Sequence, residues 1–376
     1  MRDVLPELMA WWESGEAVGV GTVVATFKSA PRPPGASMLV GPDSTVVGSV
    51  SGGCVEGAVY DLAQSVVASG EPELVRYGVS DEAGYAVGLT CGGLLDVWVE
   101  KVSRTSFPEL SDLAEEIDAG RPVALATVID HPDRSRIGHR LLVRPGDVSS
   151  SAPTRPDTAI RDDAIGLLAV GTNATLTYGP DGQRRGEGMR VFVSSFAPAP
   201  RLLVFGAIDF AAAMARVGRM LGYRVTVCDA RPMFATTARF PDADEVVVDW
   251  PHRYLAAEAA AGRVDARTVV TVLTHEPKFD VPLLEAALRL DLAYVGAMGS
   301  RRTHDERMAR LREGGTSADD LDRLSSPIGL DLGARTPEET AISIAAEIIA
   351  RRWGGSGQPL AVTAGPIHHE GSTMLQ

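Results

Sequence analysis

The sequence feature that most constrains the fold is an alternation of short apolar strands and amphipathic helices that begins at Arg201. The predicted strands lie at residues 201–205, 224–229, 245–249, 268–274 and 293–297. The last predicted helix runs from Pro337 to Arg352, with Thr336 as its N-cap. Strands that alternate with helices build a parallel sheet with helices on both faces. We therefore predict an α/β chain whose residues 201–353 form a Rossmann-like, doubly wound parallel sheet, followed by a loose tail at 354–376.

The first half of the chain is richer in strands. Strands are predicted at residues 18–25, 37–40, 44–50, 73–77, 94–102, 122–129 and 189–196, with helices at 5–14, 55–67 and 108–119. The segment 149–163, rich in Ser, Pro, Asp and Arg, is predicted to be a surface loop or a poorly ordered segment. Residues 1–196 are thus expected to form a β-rich α+β domain, joined to the second domain by a stiff Pro198-Ala199-Pro200 linker.

One part of this first domain is echoed later in the sequence. Residues 136–147 repeat the pattern of residues 32–43: a loop with an arginine, a glycine, an apolar triplet and a turn that contains proline. The echo indicates an internal duplication of one β-rich unit. The second copy lacks a Gly-Gly-Cys sequence, so chemistry based on that sequence belongs to the first copy.

The sequence Ser51-Gly52-Gly53-Cys54 is predicted to turn from a strand into a helix that ends at Gly70. Two glycines allow a sharp bend and a close approach of a ligand to the main chain. Exposed N–H groups at a helix N-terminus favour an anion, and a cysteine there has a lowered pKa. We predict a nucleophilic or ligating thiol beside an anion cradle; the alternative is a tight turn with an inert thiol.

Two other stretches of the first domain contain residues that could bind the same ligand as the Cys54 turn. Cys91, Gly92 and Gly93 repeat the cysteine and the paired glycines in reverse order. Arg32 lies in a rigid proline-rich loop, where an arginine can hold an anionic ligand or remain solvated.

The second domain has a weak nucleotide signature. Gly206 keeps the first glycine of the dinucleotide-binding pattern, but Ile208 replaces the second glycine and Asp209 adds a negative charge. Asp229 ends the second strand, where an acidic residue can bond a ribose hydroxyl. The pattern predicts the fold more strongly than it predicts NAD(P) binding.

A further cluster follows the later strands of this domain. Gly299, Ser300 and Arg301 open a helix and form a candidate anion site, unless the arginines there pair with Asp305 or Glu306. His275 can be a proton donor or a structural hydrogen-bonding residue, and the sequence leaves both open. No metal-ligating set is assigned.

Bulk properties exclude several classes of function. The 376-residue chain has a formal net charge of −13 and no basic tract, which argues against nucleic-acid binding. No apolar run approaches the length of a membrane span, and the start lacks a signal-peptide pattern. Three widely spaced cysteines do not make a disulfide framework, so we expect a cytoplasmic protein with free thiols.

Both halves, in this order, resemble the xanthine dehydrogenase accessory protein family (XdhC/CoxI). The stretches that carry the resemblance are residues 31–36, 48–56, 89–93, 274–280, 296–302 and 327–339. The pattern departs from the family at Ile208 and Asp209, where many relatives have glycine and histidine. We therefore expect either that a nucleotide site in the second domain is lost or altered, or that this domain serves mainly as a scaffold and partner surface.

The resemblance implies a protein that binds the molybdenum cofactor (molybdopterin), promotes its sulfuration by a cysteine desulfurase, and delivers it to a molybdenum hydroxylase of the xanthine or carbon monoxide dehydrogenase type. Carried over, Cys54 and Cys91 are the thiols that bind or handle the cofactor, and Glu56 belongs to the same motif. An accessory protein or chaperone is implied rather than an enzyme that turns over a small substrate. The sequence leaves open whether the chain is a monomer or a homodimer.

Two other interpretations remain. An NAD(P)-dependent oxidoreductase would use the Gly206 turn and a proton donor such as His275. A scaffold that bridges an enzyme and a sulfur donor would keep both thiols buried and inert.

Overall fold

The computed structural model describes residues 1–27, 32–78, 93–146, 155–274 and 276–364. The chain divides into two compact units, Met1–Pro198 and the part that begins at Ala199. Each unit is described by itself below. In the described ranges, none of the helices has both the length and the apolar character that crossing a membrane requires.

The first unit contains two antiparallel sheets in its described residues, with strand orders β3-β2-β1-β5-β4 and β7-β6-β9-β8. The strands are β1 (Val18–Phe27), β2 (Ser37–Val40), β3 (Val46–Gly48), β4 (Glu73–Tyr77), β5 (Leu94–Val102), β6 (Val123–Asp130), β7 (Arg140–Val143), β8 (Ala174–Tyr178) and β9 (Met189–Phe196). The helices are α1 (Leu5–Ser14), α2 (Glu56–Ser69), α3 (Leu110–Asp118) and α4 (Arg155–Val170).

The two sheets repeat one plan. In each, a helix precedes an antiparallel strand pair, a second helix follows, and a second strand pair completes the sheet; β3 is the addition in the first copy. The irregularity in the pairing also repeats, between Val23 and Ala25 in β1 and between Val128 and Asp130 in β6. The internal duplication predicted from the sequence is therefore confirmed.

Contacts between the copies are reciprocal. A Cβ added to Gly35, in the loop before β2, would lie 2.2 Å from Asn173, just before β8. A Cβ added to Gly138, in the loop before β7, would lie 3.9 Å from Pro72, just before β4. Equivalent positions of the two copies therefore contact each other in both directions, which is the relation that an approximate twofold axis produces.

Residues at equivalent positions of the two copies contact each other between the strands β1 and β5 of one sheet and β6 and β9 of the other. Thr22 pairs with Trp98 and Thr127 pairs with Phe192, so these positions correspond between copies. Trp98 and Phe192 pack in one small cluster with the equivalent pair Val24 and Ile129.

Asp96 of the first copy forms an ion pair with Arg190 of the second copy. Asp96 corresponds to Arg190, because Ala25 and Asp130 are their strand partners. Asp96 is buried, and its carboxylate lies 2.6 Å from Arg76 and 3.1 Å from Arg190.

One prediction for the first unit is wrong. Residues 155–163, expected to be part of a surface loop, form the first half of α4. Its buried side chains, Ile160, Ala164, Leu167 and Leu168, pack on the second sheet as the α2 side chains pack on the first. The reason is that a helix needs only one apolar face, and the polar residues of this segment occupy the other faces.

The second unit has a six-stranded parallel sheet with the order β12-β11-β10-β13-β14-β15. The strands are β10 (Arg201–Phe205), β11 (Arg224–Asp229), β12 (Glu245–Val248), β13 (Val269–Val272), β14 (Tyr294–Ala297) and β15 (Leu324–Ser325). The helices are α5 (Asp209–Met220), α6 (Pro251–Ala260), α7 (Pro277–Leu288), α8 (Arg301–Glu313), α9 (Ala318–Asp322) and α10 (Pro337–Trp353).

Helices cover both faces of this sheet. Side chains of α5 and α10 pack with Leu202 and Val204 on one face, and side chains of α6, α7 and α8 pack with Leu203 and Phe205 on the other. This arrangement confirms the Rossmann-like, doubly wound prediction. The order of strands reverses between β10 and β13, which is where open α/β sheets place their ligand crevice.

Candidate functional site

The predicted Gly-Gly-Cys turn connects β3 to α2. Gly52 has φ +75° and Gly53 has φ +121°, so both adopt a backbone conformation that favours glycine. A Cβ added at either position would meet no atom within 4 Å among the described residues. The positive φ values of the bend therefore explain why glycine stands at both positions. The space beside their Cα atoms is open in the part of the chain that the structure describes.

The carboxylate of Glu56, the first residue of α2, organises this turn. It accepts hydrogen bonds from the Ser49 hydroxyl at 2.6 Å, the Ser51 hydroxyl at 2.5 Å and the main-chain N–H of Ser51 at 2.9 Å. The N–H groups of Gly53 and Val55 donate to the same carboxylate at 2.8 and 3.2 Å. Burial alone would raise the pKa of Glu56, but these hydrogen bonds outweigh it and hold the pKa at about 2.

The hydroxyl oxygens of the two serines accept the N–H groups of Gly52 and Cys54 and share the N–H of Val55 with Glu56. Ser51 Oγ accepts from Cys54 at 2.9 Å and from Val55 at 3.0 Å, and Ser49 Oγ accepts from Gly52 at 2.9 Å. The expectation of exposed N–H groups is therefore wrong for residues 51–55. The chain supplies its own anion at the helix N-terminus, and an external anion would have to compete with Glu56.

Cys54 is half-buried and lies directly before Val55, the N-cap of α2. Its side chain packs beside the apolar cluster that includes Val50, Val55 and Val59. Cys91 and Gly92 lie outside the described residues, and Gly93 is buried directly before β5. The convergence of Cys54 and Cys91 stays a prediction.

The proline-rich loop of Arg32 lies beside this turn. Ser37, which ends the loop, accepts the main-chain N–H of Ser49 through its carbonyl at 3.1 Å. Asn173 fixes the loop from the second copy, because its Nδ2 donates to the Pro34 carbonyl at 2.9 Å. Asn173 was not predicted, since a single asparagine between a helix and a strand carries no recognisable motif.

In the second unit, Gly206 is explained by packing. A Cβ there would lie 2.7 Å from the Thr274 side chain of the neighbouring strand connection. Asp229 is buried, and its Oδ2 accepts the main-chain N–H of Ala207 at 2.8 Å. The guanidinium of Arg231 contacts both oxygens of Asp229 at 2.9 Å.

These contacts affect the candidate nucleotide site. Burial would raise the pKa of Asp229, but the hydrogen bonds from Arg231 and Ala207 outweigh it and lower that pKa below its ordinary value. Arg231 also lies 3.7 Å from Glu276, which follows β13, so the pair spans the point where the strand order reverses. Both oxygens of Asp229 are therefore engaged where a dinucleotide would need a ribose acceptor, and the residues fit NAD(P) poorly.

The other predicted cluster of the second unit lies at the start of α8. Ser300 caps α8 by accepting the Thr303 N–H at 3.1 Å, directly after Gly299. Arg301 is exposed, whereas Arg302 pairs with Glu306 at 3.0 Å, as the alternative interpretation expected.

A buried ion pair lies behind this cap. Arg307 of α8 contacts Asp280 of α7 at 3.2 Å and donates to the Met298 carbonyl at 2.8 Å. The pair fixes the segment that carries Gly299, Ser300 and Arg301. His275 lies outside the described residues. Among the residues the structure describes, no group of three or more His, Cys, Asp and Glu side chains could hold a metal ion.

Comparison with known proteins identifies the two units. The model of the XdhC and CoxI family matches residues 11–78, which hold the Arg32 loop and the Cys54 turn. The XdhC Rossmann domain model matches residues 202–348. The chain belongs to the XdhC/CoxI family.

Several relatives of this family member extend over most of its length. A protein of Bacillus subtilis, named as a probable component of xanthine dehydrogenase, is 28% identical over 92% of this chain and 96% of its own. The molybdenum cofactor insertion chaperone PaoD of Escherichia coli is 27% identical over 90% of this chain and 85% of its own. A crystal structure described as a xanthine dehydrogenase from Bacillus halodurans matches with a TM-score of 0.63 and 26% identity, over 96% of this chain and 97% of that one. The XdhC-like arrangement of the fold is thereby confirmed.

Proposed function

We propose that this XdhC/CoxI family member binds the molybdenum cofactor and acts as a maturation factor for a molybdenum hydroxylase. The observation that carries the proposal is the half-buried Cys54 on a turn that Glu56 holds in one conformation. A relative over nine-tenths of the chain is named a molybdenum cofactor insertion chaperone, which supports the same role.

The chemistry of the turn suits part of this cofactor. When bound, the cofactor would supply a molybdenum centre that accepts sulfur ligands. A thiolate is an appropriate ligand or sulfur carrier for such a metal. Open space beside Gly52 and Gly53 lets a ligand approach the main chain. Because the N–H groups of the turn donate to Glu56 and the serines, the phosphate of the cofactor is expected to be bound elsewhere.

Within this proposal the chain's residues have distinct roles. Cys54 and Cys91 would be thiolate ligands of the metal or carriers of sulfur for it, while Glu56 and Ser51 would position Cys54 without contacting the cofactor. A cysteine desulfurase supplies the sulfur, and a hydroxylase of the xanthine or carbon monoxide dehydrogenase type receives the product. Because the Cys54 thiol is only half-buried, a cofactor bound to it could be released to a client enzyme.

The test is retention of the cofactor by the purified chain. The protein is incubated with molybdenum cofactor, desalted, and assayed for bound pterin and molybdenum. We expect near-stoichiometric retention by the wild type and loss in Cys54→Ser and in Cys91→Ser. Cys228→Ala is the matched control, because Cys228 is buried in the second unit and should have no role.

Two results would contradict the proposal. Absence of retention by the wild type would remove cofactor binding altogether. Equal retention by Cys54→Ser and the wild type would remove the thiol from the site. In either case nucleotide titration of the Gly206 turn would become the next experiment.

A further inference from the structure

A cavity of about 330 Å³ opens in the first unit, where the loop of one copy meets the strands of the other. The lining residues that bear on its chemistry are Arg2, Arg32, Gly35, Asn173, Ser194 and Phe196. Asp3 and Met1 are also in the lining, so the guanidinium groups of Arg2 and Arg32 and the terminal amine of Met1, which donates to the Gly35 carbonyl at 2.7 Å, face one carboxylate. The volume is at the lower end of the range typical of small-molecule sites.

The twofold duplication shows why this space exists. Glu100 pairs with Val20 and Ser194 pairs with Leu125, so Glu100 and Ser194 occupy equivalent positions. By the same registers, Arg140 of β7 corresponds to Ser37 of β2.

The two equivalent places are filled differently. On one side of the axis, Glu100 and Arg140 form a buried ion pair, with the Arg140 guanidinium 4.3 Å from the Phe107 ring centroid. On the other side, the equivalent residues are Ser194 and Ser37, both buried and both short. Ser194 lines the cavity, so the cavity lies across the twofold axis from the ion pair of Glu100 and Arg140.

An arginine is nevertheless present on the open side. The Nε of Arg32 is buried and has no hydrogen-bond partner among the residues that the structure describes. Buried donors in folded proteins are almost always paired, so this N–H calls for an acceptor. On the filled side, Nη2 of Arg140 donates to the carboxylate of Glu100, while the Nε of Arg140 is also buried without a partner among the described residues.

We propose that this cavity is an oxyanion site, which takes the phosphate monoester or carboxylate group of a small molecule. The anion occupies the place that corresponds to the Glu100 carboxylate, and Arg32 is its principal ligand. Asn173 positions the Arg32 loop by bonding Pro34 and Ser195 at the same time. The site goes beyond the proposed function, since it requires neither thiol chemistry nor a metal.

The experiment uses the full chain and two simple probes, inorganic phosphate and acetate, each titrated by calorimetry at constant ionic strength. We expect one or both to bind, and Arg32→Gln to weaken that binding at least about tenfold, because a charge-assisted hydrogen bond is lost. Arg136→Gln is the matched control: Arg136 lies in the equivalent loop of the other copy and donates to the Pro180 carbonyl at 3.2 Å. Its affinity should match the wild type.

A second variant tests the location. Ser194→Glu restores the residue found at the equivalent position, so its carboxylate should pair with Arg32 and abolish binding, whereas Ser194→Ala should leave binding intact. If Ser194→Glu does not fold, as judged by circular dichroism, the comparison of Arg32→Gln with Arg136→Gln decides alone.

The outcomes separate cleanly. Binding of phosphate but not acetate assigns a phosphate monoester, and the reverse assigns a carboxylate. No binding of either probe, or equal losses in Arg32→Gln and Arg136→Gln, overturns the proposal. These results are independent of cofactor retention through Cys54, so failure of one proposal does not imply failure of the other.

Discussion

The substitution Glu56→Gln should destabilise the first unit by more than its surface position suggests. The Glu56 carboxylate accepts five hydrogen bonds from the turn that carries Cys54. A glutamine keeps one acceptor oxygen and replaces the other with an NH₂ donor, which would face N–H groups. At least two donors of the turn would then lose their acceptor.

The magnitude follows from the pKa of Glu56, which falls from 4.5 to about 2 in the folded chain. Each pKa unit corresponds to about 1.4 kcal/mol. The Glu56 carboxylate therefore contributes at most about 3 kcal/mol to the free energy of unfolding. Because the carboxylate is partly exposed and solvent screens it, we expect a loss of about 1–2 kcal/mol.

The pH dependence has a definite sign. A carboxylate whose pKa is lower in the folded state stabilises that state fully above its unfolded pKa of 4.5. The stabilisation is lost as the pH falls from there through about 2. The difference between wild type and Glu56→Gln should therefore be constant near neutral pH and narrow below pH 4.5.

The assay is urea unfolding at a series of pH values, followed by tryptophan fluorescence and circular dichroism. The matched control is Asp112→Asn, which removes an exposed acidic residue from the first turn of α3. A loss in Glu56→Gln no larger than in Asp112→Asn would refute the reasoning. So would a difference that stays constant down to pH 3.

Three further outcomes follow from the second unit. Arg307→Leu leaves the buried carboxylate of Asp280 without this guanidinium and should cost about 3–5 kcal/mol in urea unfolding; a cost below about 1 kcal/mol would contradict a tightly buried pair. Gly206→Ala should cost about 1–3 kcal/mol more than Gly222→Ala, because both have positive φ but only the first would meet a neighbour, at 2.7 Å. Burial raises the pKa of Cys228 to about 12, so iodoacetamide at pH 8 should modify it only after unfolding, as checked by peptide mass spectrometry. Rapid modification in the folded chain would show that the thiol is accessible.

Strong periodicity made much of the fold predictable. The helix at 5–14 and the strand at 73–77 agree with α1 and β4 residue for residue, because their apolar spacing leaves little choice. The first half of α4 was missed because its composition is that of a loop, and only the packing of Ile160 and Ala164 on the second sheet gives it a core face. The strand β8 was missed as well; only its last residue, Tyr178, is buried, so its sequence carries no clear inward face.

The candidate site was predictable in outline only. The bend at Gly52 and Gly53 follows from residue types, but the inward orientation of Glu56 depends on its hydrogen bonds with Ser49 and Ser51. The helix dipole favours an acidic residue in the first turn whichever way its side chain points, so residue type alone does not predict this orientation. Asn173 is contributed by a distant part of the chain, so no local pattern could have linked it to Pro34.

The ion pair between Asp96 and Arg190 bears on how the first unit can have diversified. These residues occupy equivalent positions of two copies, so a symmetric dimer of one copy would bring two aspartates or two arginines together at this place. Opposite charges can meet on a twofold axis only when the two copies have different residues at the same position. Joining the copies in one chain therefore freed each half to specialise, and the same freedom let one side of their interface be filled by an ion pair while the equivalent side stays open.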